Sequence, residues 1–147
     1  FISDLNSYRI GPARFRQLRV QTERCQTTRI GIEECYDSYS FSEAEKGVFK
    51  PNWVAVNESE DYVPWDLWFV YQTSGETKGV PIIAEKSTYG AGGYVVELGV
   101  NNPTGLMVLD QLFKETWIDH NTRAVVTEFS VYNANINLFG CVILTAE

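Results

Sequence analysis

The sequence is poor in the residues that reaction chemistry most often uses. One histidine (His120), one methionine (Met107) and three cysteines stand among 147 residues. No Cys–His or Ser–His–Asp arrangement can be assembled from such parts, and His120 falls in a turn sequence that faces solvent. No paired Cys/His spacing suggests zinc. No apolar run reaches the ~18 residues that cross a bilayer as a helix. No leader pattern opens the chain at Phe1, which gives it the look of an excised piece. Nothing points to a pair of carboxylates set for glycoside chemistry. These gaps make an enzyme the weakest of the function classes, and no cofactor is expected.

Apolar and aromatic side chains are plentiful, at 44% and 14% of the residues. That is enough for one domain with a core, spanning 1–147. The net charge of −7 argues against nucleic acid, which requires a basic surface. The charge is uneven, because residues 1–30 hold six arginines against Asp4 and Glu23, a local +4 that leaves −11 elsewhere. Arg16 and Arg19 in this start either sit on a solvated edge or meet an acidic patch of this chain or of a neighbour.

Cys25 and Cys35 flank a polar loop and fit a local disulfide, which implies an extracellular or lumenal setting. Cys141, within Cys-Val-Ile-Leu, reads as a buried strand thiol. Asn57-Glu-Ser is a glycosylation acceptor, whereas Asn102-Pro-Thr is excluded by its proline. Glu58, Glu60, Asp61 and Asp66 lack the oxygen spacing of a calcium loop and are expected in solvent.

Residues 1–13 read as irregular, with Gly11-Pro12 as a breaker, and Arg14–Val20 follows as a strand whose regular part, with Leu18 and Val20 on one face, begins near Gln17. Residues 41–88 scatter Trp53, Trp65, Trp68, Phe69 and Tyr71 among Pro51, Pro64 and Pro81, the pattern of a loop-rich lobe that buries rings. The glycines of Tyr89-Gly-Ala-Gly-Gly-Tyr94 precede a strand instead of a helix, so they read as turn residues and not a phosphate cradle. Asn102-Pro103 opens a helix to about Trp117, with Leu106, Leu109, Leu112, Phe113 and Trp117 as its stripe and a sheet containing Val125, Phe129 and Val131 beneath Leu109, Leu112 and Phe113.

The most informative stretch is Thr122–Phe139. Val125, Thr127, Phe129 and Val131 alternate with Ala124, Val126, Glu128 and Ser130, the pattern of a strand packed on one side and partly covered on the other. At Tyr132 the parity switches, which requires a bulge, a bend or a break between strands. Asn133, Asn135 and Asn137 can satisfy the backbone groups that such a corner leaves open. Gly140 marks a further candidate bulge.

Phe129-Ser-Val-Tyr-Asn-Ala-Asn-Ile-Asn-Leu-Phe139 resembles the signature of the polycystins, transient-receptor-potential-type membrane cation channels. Arg14, Arg16, Gln17, Leu18, Arg19 and Val20 match a second family segment, and Cys35-Tyr-Asp-Ser-Tyr-Ser40 a third. Gly92-Gly-Tyr-Val-Val-Glu-Leu-Gly99 is similar to the polycystin-1-like branch. Trp117-Ile-Asp-His-Asn-Thr-Arg123 matches apart from His120 and Asn121, where asparagine can take the left-handed conformation of the family's glycine. The resemblance implies an α+β domain, a mostly antiparallel sheet with helices on one face and the aromatic lobe inserted at about 41–88. It also implies an extracellular or lumenal assembly and gating module that sits above a pore and joins other polycystin-family subunits in a homo- or heterotetramer. The lobe and the sheet edge are the expected pair of contacting patches, with Trp65, Trp68 and Phe69 as anchors. The residues alone also allow a soluble ectodomain that reads a carbohydrate through Trp53, Trp65 and Trp68.

Overall fold

The computed structural model describes residues 6–24, 34–36, 38–57, 59–64 and 66–147. In chain order these residues form β1 (Ser7–Arg19), β2 (Thr22–Arg24), β3 (Glu34–Tyr36), β4 (Phe49–Lys50), β5 (Val54–Ala55) and β6 (Tyr71–Gln72). Next come α1 (Ser74–Thr77), β7 (Ile82–Ile83), β8 (Thr88–Tyr89), β9 (Gly93–Glu97), α2 (Asn102–Lys114), β10 (Thr122–Asn133) and β11 (Leu138–Ala146). Five strands join in one antiparallel sheet in the order β11-β10-β1-β9-β6, and the others pair as small ribbons. The fold is α+β and mostly antiparallel, as the sequence suggested.

Strand β1 starts at Ser7, seven residues before Arg14 and within the stretch expected to be irregular. The Gly11-Pro12 pair does not break it. The ladder to β10 shifts register between Ile10 and Arg14, and Gly11 takes φ +71° there. Proline is tolerated at such an irregularity because no ladder donor is required of it. The parity switch at Tyr132 proves to be a break between strands. Strand β10 ends at Asn133, a turn over 134–137 follows, and β11 returns in unbroken register, with Gly140 opposite Val131. No bulge forms at Gly140.

Arg14, Arg16 and Leu18 stand opposite Glu128, Val126 and Ala124, so alternation puts all six on one face. Phe15, Gln17, Val125 and Thr127 take the other. One core cluster joins Leu18, Val20, Ala124 and Val126 to Tyr39, Ala44 and Tyr89. The second joins Tyr94 and Val96 of β9 to Phe69, Leu112 and Trp117, with Phe15, Phe49, Trp53, Trp68 and Tyr71 packed around them. Both faces of β10 are covered, and the row carrying Glu128 is the deeper one.

Helix α2 starts one residue earlier than expected. Asn101 is its N-cap, accepting from the Thr104 N–H at 2.9 Å, and Pro103 lies in its first turn. Of the three side chains expected beneath it, only Leu112 is buried, at 6% exposure, while Leu109 is open and Phe113 is 86% exposed. The inward stripe is Gly105, Val108, Gln111 and Leu112. The row of Leu106, Leu109 and Phe113 is rotated away from it. The helix is apolar on both rows, so periodicity alone could not choose between them.

Candidate functional site

Of the two placements left open for Arg16 and Arg19, a solvated edge or an acidic partner, the structure has the second: both are buried and paired with carboxylates of this chain. Arg16 is 0% exposed, and its guanidinium donates to the carbonyls of Gly90 (2.6 Å), Gly92 (3.2 Å) and Val80 (3.2 Å) and to Glu128 Oε1 (3.1 Å). Arg14 completes the cluster, with Nε on Glu128 Oε2 at 2.5 Å and Nη1 on the Thr77 carbonyl at 2.7 Å. The glycine-rich loop is what makes this possible. A Cβ on Gly93, where φ is +149°, would stand 2.7 Å from the Gln17 carbonyl. These glycines therefore bring carbonyls to a cation, the reverse of a phosphate cradle.

Arg19, also buried, clamps Asp119 through Nη1 (2.5 Å) and Nη2 (3.0 Å) and lies 3.4 Å over the Trp53 ring. Trp53 in turn donates to the Thr116 and Trp117 carbonyls, both at 3.1 Å, and meets Phe49, Phe69 and Tyr94 edge-on. Phe69 is buried, and Trp68, half-buried, gives its carbonyl to the Trp117 indole at 3.0 Å. The lobe does bury rings, but inside this chain. Arg16, Arg19 and Phe69 are thereby corrected as interface residues, since their surfaces are already spent. Trp53 and Trp68 likewise form no open sugar platform, and Trp65 lies outside the described residues. Burial raises the Tyr94 phenol above its ordinary value, aided by Glu45.

The asparagines of the signature build the β10–β11 corner. Asn133 Oδ1 accepts from the Asn135 N–H (3.0 Å), and its Nδ2 donates to Ser7 Oγ (3.2 Å). Asn137, at φ +52°, accepts from the Tyr132 hydroxyl at 2.9 Å. Asn121 takes no positive φ; Thr116, at +46°, holds the left-handed position, and the Asn121 amide bonds the Val20 carbonyl and Thr22 Oγ1 instead.

His120 is exposed. Glu60 pairs with Lys50, Asp66 is half-buried with Oδ1 on the Trp68 N–H, and Glu58 lies outside the described residues. Among the described residues no group of three or more His, Cys, Asp or Glu is placed to hold a metal ion. Asn57 is exposed. Cys35 is disulfide-bonded, and Cys25 lies outside the described residues.

Cys141 is free and exposed, which corrects the reading of a buried thiol. Its strand, β11, forms the edge of the sheet, so neither face is covered as an inner strand would be. Leu138 (60%), Phe139 (73%) and Leu144 (58%) lie open along it, and Met107 and Phe113 lie open on α2. Between the helix and the sheet runs an apolar cleft of about 570 Å³, lined by Ala13, Leu98, Leu106, Leu109 and Phe129. Large apolar side chains are thus exposed on both the edge strand and the helix. Sequence patterning missed the Arg16 cluster, although a signal was there. Arg-x-Arg followed by Leu18 shares a parity row, and Glu128 sits in the matching row of an inner strand.

No helix among the described residues is long and apolar enough to cross a membrane. The family model described as the Polycystin domain matches residues 3–147. Polycystin-1-like protein 3 of Mus musculus is 33% identical over the whole chain, which covers 7% of that protein. Polycystin-2 of Danio rerio is 34% identical over 94% of the chain and 14% of the relative, and Polycystin-2-like protein 1 of Homo sapiens is 34% identical over 94% and 16%. The chain thus spans less than a fifth of these relatives, and the identities do not separate the two branches. On the match across almost its whole length, the chain belongs to the polycystin family.

Proposed function

We propose that this domain is the extracellular or lumenal assembly and gating module of a polycystin-type cation channel, docking on copies or relatives of itself in a tetramer. The family resemblance supplies the class, and the uncovered apolar surface on β11 and α2 is the observation that carries the assembly role. A cyclic tetramer joins one patch to a different patch on the next copy. The edge strand with Phe139 and the outer row of α2 with Phe113 are two such patches. Large apolar anchors of this kind usually dominate the energetics of a contact. A bridge between Cys25 and Cys35 and a glycan on the exposed Asn57 belong to the same reading, because both require the secretory route. In the lobe, Trp65 is kept as a candidate contact, and half-buried Trp68 as a secondary one.

The test is made in the full-length channel. Phe139→Glu together with Phe113→Glu is expected to reduce tetramer yield and surface delivery, while the 147-residue chain carrying both changes keeps its melting behaviour. Full assembly with both changes in place would remove this surface as the contact.

A further inference from the structure

Glu147 follows the last residue of β11 and reaches across to the ribbon formed by β7 and β8. Its Oε2 accepts from the Glu85 N–H at 2.9 Å, and its Oε1 from the Lys86 N–H at 2.8 Å. The hydroxyl of Tyr89 donates to the same Oε1 at 2.9 Å. Tyr89 is buried in a core cluster, its ring tilted against that of Tyr39 with centroids 4.9 Å apart. The ribbon turn is closed by the Ala84 N–H on the Ser87 carbonyl at 3.0 Å, which points the next two amides at the carboxylate. Neighbouring amides converging on one anion form a nest, and bonds to a charged acceptor are the stronger kind.

We propose that Glu147 is a latch that fastens the exit of the edge strand to the 82–89 ribbon, so that a displacement at the end of β11 is transmitted through Tyr89 to the ribbon and to Tyr39 and Ala44 in its core cluster. This does not rest on the channel reading, since it concerns only how two parts of this chain move together. Few other ties join them. Strand β11 pairs with β10 alone, and the ribbon pairs only with itself. With the carboxylate seated they form one body; with it withdrawn, the ties that remain among the described residues are Ile82, Ala84 and Tyr89 against the core, the Ser87 hydroxyl on the Tyr39 carbonyl, the Tyr89 hydroxyl on the Arg123 carbonyl, and the Arg16 bonds to Val80 and Gly90 at the ribbon's two flanks.

The latch is mechanical and is not opened by ordinary changes of pH. Partial burial raises the Glu147 carboxyl, but hydrogen bonds from Lys86, Tyr89, Glu85 and Ser87 outweigh it and leave the group below its usual range. The titratable and charged groups around it are Glu85, Lys86, Tyr89, Arg123 and Tyr39. Lys86 Nζ is paired with Glu85 at 3.0 Å, so neither adds a free charge to the nest.

Amide hydrogen exchange on the 147-residue chain tests the latch. Glu147→Ala is expected to speed exchange at Glu85, Lys86 and Ser87 by about three- to tenfold, the modest range suited to solvent-exposed charged bonds. Amides in the β1–β10 and β1–β9 ladders should keep their protection. Tyr89→Phe keeps the ring in the core but removes one donor, and should loosen the same amides by a smaller factor. The double variant should be no looser than Glu147→Ala alone. Unchanged exchange in the ribbon would overturn the proposal. Equal loss of protection in the β1–β10 ladder would overturn it too, because Glu147 would then be a general stabiliser and not a local tie.

Discussion

Arg16 brings a delocalised charge into a place without water, where its worth depends on whether every donor finds an acceptor. It meets three carbonyls and one carboxylate, and Glu128 is shared with Arg14. Removing one partner from such a set leaves buried polar groups unsatisfied, at ~3–5 kcal/mol. Arg16→Met is therefore expected to lower stability by about that amount, read by urea denaturation. Arg14 carries 29% exposure on its side chain, so Arg14→Ala should cost only about 1 kcal/mol. Equal costs would show that the glycine-loop carbonyls contribute nothing. Charge patterning showed an Arg-rich start but not where its charges end, because strand pairing brings Arg16 and Glu128 together across 112 residues. The asparagines, by contrast, were legible. The bonds that close the corner, Asn133 to Asn135 and Asn137 to Tyr132, are local, and the parity change gave their position; only the Asn133 bond to Ser7 depends on strand pairing.

At the scale of the element, α2 separates what periodicity can show from what it cannot. The helix followed from Asn-Pro and the apolar spacing, but its cap is Asn101 and not the Asn102 of that pair, and the choice of buried row depended on Phe69 arriving from elsewhere and on Trp117 just past the helix. Leu112→Ala should destabilise the domain by ~2–5 kcal/mol, and Phe113→Ala should fall within ~0.5 kcal/mol, both by thermal or urea unfolding. A large effect at Phe113 in the isolated chain would mean that the helix packs on its other row. Asn101→Ala removes the acceptor for the Thr104 N–H and should cost ~0.5–2 kcal/mol. Strand β1 was underestimated because glycine and proline ordinarily end strands. Here the bulge absorbs both, and the β10 partner that fixes it lies more than a hundred residues away. The sheet edge was missed for a related reason: Cys-Val-Ile-Leu reads as core in any strand, and only topology tells an edge from a centre.

For the whole molecule, the buried tyrosines tie stability to alkaline pH. Tyr39, Tyr71, Tyr89 and Tyr94 all have phenols raised above the ordinary value of 10.0, with burial as the first cause in each. Tyr89 is pushed up to about 12, helped by the carboxylate of Glu147 that accepts its proton. An unfolded chain releases these protons near the ordinary phenol value, while the folded chain still holds them. The unfolded state therefore binds fewer protons above that value, and stability must fall as pH rises. The contribution is fully present below about pH 10 and is lost as pH climbs through the folded values, past about 12 for Tyr89. Urea midpoints measured from neutral to alkaline pH should stay level on this account and then drop steeply, with phenolate absorbance rising together with unfolding. Tyr89→Phe keeps the ring in its cluster and removes one titrating group, so its midpoints should fall less steeply over the same interval. If the variant and the parent chain lose stability in parallel, the Tyr89 proton does not couple to folding. The share of phenolate absorbance that Tyr89→Phe removes should develop only as structure is lost, and its appearance well before that loss would show that Tyr89 titrates in the folded state.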